Sequence, residues 1–172
     1  SGPGEPAATI AEALPDAVVL ATDVADAMVA AATNATSHLS NVKVQLADAQ
    51  NLEGMSDASY DVVTCCYGYM FPSEKETALA ETLRVLKPGG SFVVLDHRAS
   101  AGTPATSGGD THRIDPQVVK DMAEEAGFVF VAESDLFVNP ADDLDANVFD
   151  PKVRGMTDQF LLKFEKPEAA PE

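Results

Sequence analysis

The feature that most constrains this chain is YDVVTCCY, residues 60–67, a continuous apolar run bounded by turn-forming residues. Such a run makes a strand buried on both faces, and a sheet covered on both faces needs helices on each side of it. The rest of the chain supplies that alternation. Ala7, Ile10, Ala11 and Leu14 share one face of a helix that carries Pro6 in its first turn and ends at Pro15-Asp16. Val18 to Leu20 begin a short strand ending at Asp23, and Asp26 opens an alanine-rich helix running to about His38. Val42, Val44 and Leu46 give a strand ending at Asp48.

Further on, Ser73 and Glu76 form an S-x-x-E capping box ahead of Leu79, Leu83 and Leu86, and Pro88-Gly89-Gly90 stops that helix. Phe92 to Leu95 is a fourth strand, followed by a small-residue loop, 98–110, suited to a lid or to disorder. Asp115-Pro116 caps a helix ending at Gly127, and Phe128 to Val131 and Thr157 to Phe164 are the last strands. The acidic loop between them, NPADDLDANVFDP, holds no helix to carry a crossover, so the last two strands are expected to pair antiparallel. The expected fold class is therefore α/β, a mainly parallel sheet with an antiparallel terminal hairpin, in one domain over residues 1–166 with a disordered tail at 167–172. Ligands of such sheets sit beyond the carboxyl ends of the strands.

Charge and cysteine usage narrow the function. With 28 Asp and Glu against 11 Lys and Arg, the 172-residue chain carries a formal charge of −17 and has no basic stripe to neutralise phosphates. Nucleic acid and anionic membrane are excluded as direct partners on this reading. Cys65 and Cys66 are adjacent, so alternation sends them to opposite faces and no disulfide framework exists. No apolar stretch is long enough for a membrane span, and the first residues lack the pattern of a secretion signal, which points to a reducing cytoplasm. Asp142, Asp143 and Asp145 lack the spacing and glycine of a calcium loop and read as solvated, and no zinc pattern is present, so no metal is expected.

The residues that carry chemistry stand at the ends of the early strands. SGPG, at the start of the chain, is a turn whose Gly2 and Gly4 let backbone approach a ligand, yet no strand precedes it. Asp23 follows roughly 20 residues on, where a carboxylate accepts from both hydroxyls of a ribose. Asp48 places a second acceptor on the same edge, suited to an exocyclic amine. The same residues serve equally as a glycine turn, a helix-capping Asp and a turn Asp with no ligand.

Taken together, SGPG, VVLATDVADAM, VQLADAQNL, YDVVTCCYGYMF and ETLRVLKPGGSFVVLD resemble the class I S-adenosylmethionine-dependent methyltransferases, in particular the small-molecule group that includes the quinone methylases. From DHRAS through THRIDPQVV, ESDLFVNPADD and RGMTDQF the chain resembles a bacterial group of predicted methyltransferases. The resemblance implies a Rossmann-like sheet ordered 3-2-1-4-5-7-6, with its first strand missing here, and S-adenosyl-L-methionine as cofactor. It assigns Gly2 and Gly4 to the methionine part, Asp23 to the ribose, Val24 and Met28 to the adenine surroundings, Asp48 and Ala49 to the adenine amine and ring edge, and Cys66 and Tyr67 to the methionine end.

A methyl acceptor that must lose a proton needs a base, and His97 and His112 are the candidates, with a hydrogen-bonded loop histidine as the alternative for each. Tyr67 and Tyr69 are expected to pack the acceptor pocket. The implied partner is a small-molecule acceptor. A missing central strand would also expose two strand edges for self-association, as in an N-terminally truncated domain. Two rivals stay open. One is a nicotinamide-dependent oxidoreductase, which shares the glycine turn and ribose carboxylate, and the other is a non-catalytic methyltransferase-like binding subunit.

Overall fold

The computed structural model describes residues 1–168, and the last four residues of the expected tail, 169–172, lie outside the described residues. Contacts divide the chain into two compact units, Ser1–Glu53 and Gly54 onward.

The first unit consists of α1 (Ala7–Ala13), β1 (Val19–Asp23), α2 (Asp26–Ala35) and β2 (Val42–Leu46). β1 and β2 pair parallel, from Val19 opposite Val42 to Asp23 opposite Leu46. Alanine makes the buried contacts here: Ala7, Ala11, Ala21 and Ala32 are all buried. These methyl-sized side chains let both helices lie close to a two-stranded ribbon. The Asn41 amide, just before β2, donates to the carbonyls of Ala11 and Ala17 and so satisfies an end of α1 that has no later helical partner. α2 stops earlier than expected, at Ala35, with Thr36 at its C-cap, where the buried hydroxyl donates to the Ala32 carbonyl.

The second unit contains β3 (Tyr60–Cys66), α3 (Lys75–Val85), β4 (Leu86–His97), α4 (Gly108–Thr111), α5 (Pro116–Glu125), β5 (Val129–Ser134) and β6 (Gln159–Glu165). Its sheet is ordered β3-β4-β6-β5. β3 and β4 are parallel, and β6 runs antiparallel to both β4 and β5. The terminal pair therefore forms as expected, with its later strand inserted beside β4. On β6, Phe160, Leu162 and Phe164 are fully buried while their neighbours are partly exposed, the two-residue period of a strand with one face on the core. Phe92, Phe128 and Phe164 meet with ring centroids 5.3–6.4 Å apart. Among the described residues six strands are present, and β1 and β3 each carry a ladder on one side only.

Three local expectations are corrected. α3 begins at Lys75 with Glu74 at its N-cap position, so Ser73 is not the cap of an S-x-x-E box. Lys87-Pro88-Gly89-Gly90 does not separate helix from strand but lies inside β4, where the register with β3 shifts between Tyr60 and Val62. Gly90 is required there: a Cβ would stand 2.8 Å from the Lys87 carbonyl and 3.1 Å from that of Asp61. Residues 98–110 form an ordered connection rather than a lid. Gly102 donates to Asp115 Oδ2 at 2.7 Å, and Gly108 in α4 is pressed against the Met70 backbone. Asp115 also caps α5 as expected, accepting from the Gln117 N–H.

Candidate functional site

In the first unit the opening turn folds back onto the carboxyl end of β1. The Gly2 N–H donates to Asp23 Oδ2 at 2.9 Å, the Ser1 amino group lies 3.3 Å from the same oxygen, and Ala25 donates to Oδ1 at 3.0 Å. Burial alone would raise the Asp23 pKa, but the N–H groups of Ala25 and Gly2 and the amino group outweigh it and hold the carboxyl below its usual range. Asp23 is thus an ionised acceptor, and a carboxylate with about four lone-pair sites keeps room for further donors.

The two glycines of the turn do different work. Gly2 has φ +52° with nothing within 4 Å of where a Cβ would be, so the backbone is open on that side. Gly4 is buried, and a Cβ there would lie 3.1 Å from Ala35 Cβ, so it serves packing against α2. Val24 and Met28 are exposed beyond β1. Asp48 folds over its own turn, accepting from the Gln50 N–H at 2.9 Å, and Ala49 beside it is exposed.

In the second unit the carboxyl ends of β3 and β4 meet the start of β6. Tyr67, in a left-handed conformation at φ +54°, stacks on His97 with centroids 4.7 Å apart. Its hydroxyl donates to Gln159 Oε1 at 2.8 Å. His97 Nδ1 lies 2.9 Å from Thr157 Oγ1. Burial, reinforced by the positive charge of Arg113, pushes the His97 pKa down to about 4, so its ring is neutral and only weakly basic near neutral pH. His112 is held edge-on between Phe71 and Phe149, at 5.4 and 5.0 Å, with Nδ1 buried and without a hydrogen-bond partner among the described residues.

Burial raises the Cys66 thiol pKa, and pushes that of Cys65, packed against the core, up to about 12, so neither is a ready thiolate. Tyr69, expected to pack the acceptor pocket, belongs to the hydrophobic core. It is buried, donates to the Lys75 carbonyl at 2.8 Å and packs edge-on against Phe92.

Several residues at this edge escaped sequence reasoning. Arg113 and Asp142 form an ion pair, 2.8 Å apart with both side chains 0 % exposed, so Asp142 is not the solvated carboxylate expected of an acidic loop. Arg113 also donates to the carbonyls of Ala146 and Arg98, fastening the acidic loop to the end of β4. Asp96, next to His97, is fully buried, and burial pushes its pKa up to about 7, only partly offset by N–H groups of His97, Met70 and Tyr69. An Asp inside a buried strand was the available signal for Asp96, whereas Arg113 stands in a polar stretch, DTHRID, that carries no local mark of burial. Nothing in the local pattern marked Thr157 or Gln159.

Comparison with known proteins gives a consistent result. The sequence model of the family described as "Methyltransferase domain" matches residues 1–90. The ubiquinone/menaquinone biosynthesis C-methyltransferase UbiE of Erwinia tasmaniensis is 34% identical over 99 residues, 56% of this chain and 39% of that protein. A demethylmenaquinone methyltransferase of Thermus thermophilus is 37% identical over 97 residues, 56% of this chain and 44% of that protein. The match thus spans about two-fifths of these relatives' length. Among solved structures, the [4+2]-cyclase SpnF has a TM-score of 0.76 at 23% identity, covering 98% of this chain and 73% of that one. The YcgJ protein of Bacillus subtilis has a TM-score of 0.68 at 21% identity, covering 98% and 89%. These likenesses establish the Rossmann-like methyltransferase fold.

Proposed function

This chain belongs to the methyltransferase-domain family, and we propose that it transfers a methyl group from S-adenosylmethionine to a small-molecule acceptor. The observation that carries the reading is the ionised Asp23 carboxylate at the end of β1, bonded to Gly2 of a turn that is open where a side chain would stand. These residues fit the cofactor: Asp23 has acceptor capacity left for a ribose hydroxyl, and Gly2 leaves backbone room for the methionine part. Val24 and Met28 offer exposed apolar surface to the adenine, and Asp48 with Ala49 offers an acceptor and a ring edge. When bound, the cofactor supplies a methyl group already activated on a sulfonium, so alignment and exclusion of water provide much of the acceleration.

On the second unit, Tyr67, His97 and His112 are the acceptor-side groups of this reading. The UbiE relative is named a ubiquinone/menaquinone biosynthesis C-methyltransferase, which favours a ring carbon next to an oxygen-bearing carbon as the acceptor class. The same reading takes residues 1–166 as one methyltransferase domain, supported by solved structures that cover 98% of this chain. The one-sided edges of β1 and β3 are its surfaces for self-association, which sedimentation velocity would detect as a concentration-dependent shift.

Calorimetry with S-adenosylhomocysteine tests the reading. Asp23→Ala is expected to weaken binding by about 1–3 kcal/mol, since a ribose hydroxyl loses a charged acceptor. Equal affinity of the two proteins, or tighter binding of NAD than of S-adenosylhomocysteine, would remove the cofactor assignment.

A further inference from the structure

At the carboxyl edge of the four-stranded sheet, four polar side chains pass hydrogen bonds in one direction. The Tyr67 hydroxyl donates to Gln159 Oε1 at 2.8 Å, Gln159 Nε2 donates to Thr157 Oγ1 at 3.3 Å, and Thr157 Oγ1 lies 2.9 Å from His97 Nδ1. The direction of the last contact follows from the first two. Thr157 is 6% exposed, and the one acceptor in reach of its hydroxyl proton among the described residues is His97 Nδ1. Withholding that proton would leave a buried donor unsatisfied, at about 1–3 kcal/mol. Thr157 therefore accepts from Gln159 and donates to His97. A neutral imidazole has one N–H, so with Nδ1 accepting, the proton stands on Nε2.

From this directed chain we infer that His97 is held as its neutral Nε2–H tautomer and offers a hydrogen-bond donor, in place of a base, to a carbonyl or phenolic oxygen of the methyl acceptor. Stacking on Tyr67 fixes the ring plane, and Nε2 has no protein partner among the described residues and is not one of the buried orphan atoms. Burial is the main influence keeping the ring neutral. Arg113 and His112 add to it, and Asp142, which favours protonation, is tied to Arg113. Tyr67, Gln159 and Thr157 are then positioning residues that act through His97. The same arrangement suits a histidine of low basicity at a position that the sequence offered as a base. Only the identity of the group facing Nε2 rests on the methyltransferase reading; the tautomer is a property of the protein alone.

Long-range nitrogen–proton NMR of the ¹⁵N-labelled 172-residue chain reads the tautomer directly. The expected spectrum has His97 Nε2 in the protonated, pyrrole-like region and Nδ1 in the bare, pyridine-like region. Gln159→Glu is nearly isosteric but replaces the amide donor by a second acceptor, so Thr157 now donates to residue 159, His97 Nδ1–H donates to Thr157, and the two nitrogen signals exchange regions. Tyr67→Phe leaves Gln159 able to donate and should keep the wild-type tautomer. Adding 4-hydroxyacetophenone, which carries both kinds of oxygen, should move the Nε2–H signal downfield in wild type and leave Gln159→Glu unmoved. A wild-type Nδ1–H tautomer, or a Gln159→Glu spectrum unchanged from wild type, would overturn the tautomer assignment, and a probe without effect on Nε2–H would overturn the acceptor role. S-adenosylhomocysteine calorimetry on the same samples reports separately on the methyltransferase reading, so the failure of either is recognised by itself.

Discussion

Asp23 and Asp96 are the same residue, each on a parallel strand near its carboxyl end, and they are opposite in electrostatic character. Asp23 has a side chain 19% exposed, takes backbone N–H bonds on both oxygens and is held below the usual carboxylate range. Asp96 is 0% exposed, Oδ1 accepts the His97 N–H at 2.9 Å, Oδ2 has no hydrogen-bond partner among the described residues, and its pKa is pushed up to about 7. Asp142 supplies the third case: equally buried, but facing the guanidinium of Arg113. Strand-end position puts a carboxylate near a ligand edge, whereas burial weighed against donors decides whether it is a charged acceptor, a proton carrier or half of an ion pair.

The largest break in this comparison comes from removing Asp142. Asp142→Ala leaves Arg113 buried without its counter-charge and frees the acidic loop, so urea denaturation should show a loss of up to about 5 kcal/mol.

The next effect is a pH dependence. Because the folded pKa of Asp96 is raised from 3.8 to about 7, the folded state holds its proton more tightly than the unfolded chain. Stability is fully present below the unfolded value and is lost as pH rises through the folded one. The shift corresponds to a loss on the order of 4 kcal/mol between pH 4 and pH 8. Asp96→Asn, which cannot ionise, should match wild type in urea at acid pH and exceed it at pH 8. Parallel pH profiles for the two proteins would show that Asp96 is not the group responsible.

Asp23 should behave in the opposite sense. Its depressed pKa gives a contribution present above the unfolded value of 3.8 and lost as pH falls through the folded one. At neutral pH Asp23→Ala should cost about 1–2 kcal/mol of stability through the lost Gly2 and Ala25 bonds, a cost that vanishes in acid. Smallest is Asp48→Ala, expected to change S-adenosylhomocysteine affinity by less than about 1 kcal/mol, because Asp48 is already engaged by Gln50 and an adenine amine can turn to water.

How much of the site was legible follows the range of the forces involved. The glycine turn and Asp23 were readable because both belong to a local strand-turn-helix pattern. The histidines were readable as residue types, but not their states. The His97 ring is governed by Thr157, 60 residues away in sequence, and by Arg113 in another segment. Tyr69 read as a pocket residue and proved to be core, because the turn of the chain at Tyr67, in a left-handed conformation, was not visible in the sequence.

By itself the sequence determined the order of the six strands and of every helix but the short α4, the antiparallel terminal pair and the placement of Asp23 at the end of β1, while Asp48 falls two residues beyond β2. These depend on apolar periodicity and turn residues, which act over a few positions. Tertiary structure alone decided that KPGG lies within a strand, that the acidic loop hides a buried ion pair, that burial raises the Asp96 pKa, and that the Tyr67-Gln159-Thr157-His97 chain runs toward the imidazole. Each of those depends on the dielectric surroundings and on which donors meet which acceptors, quantities fixed only when segments far apart in the chain pack together.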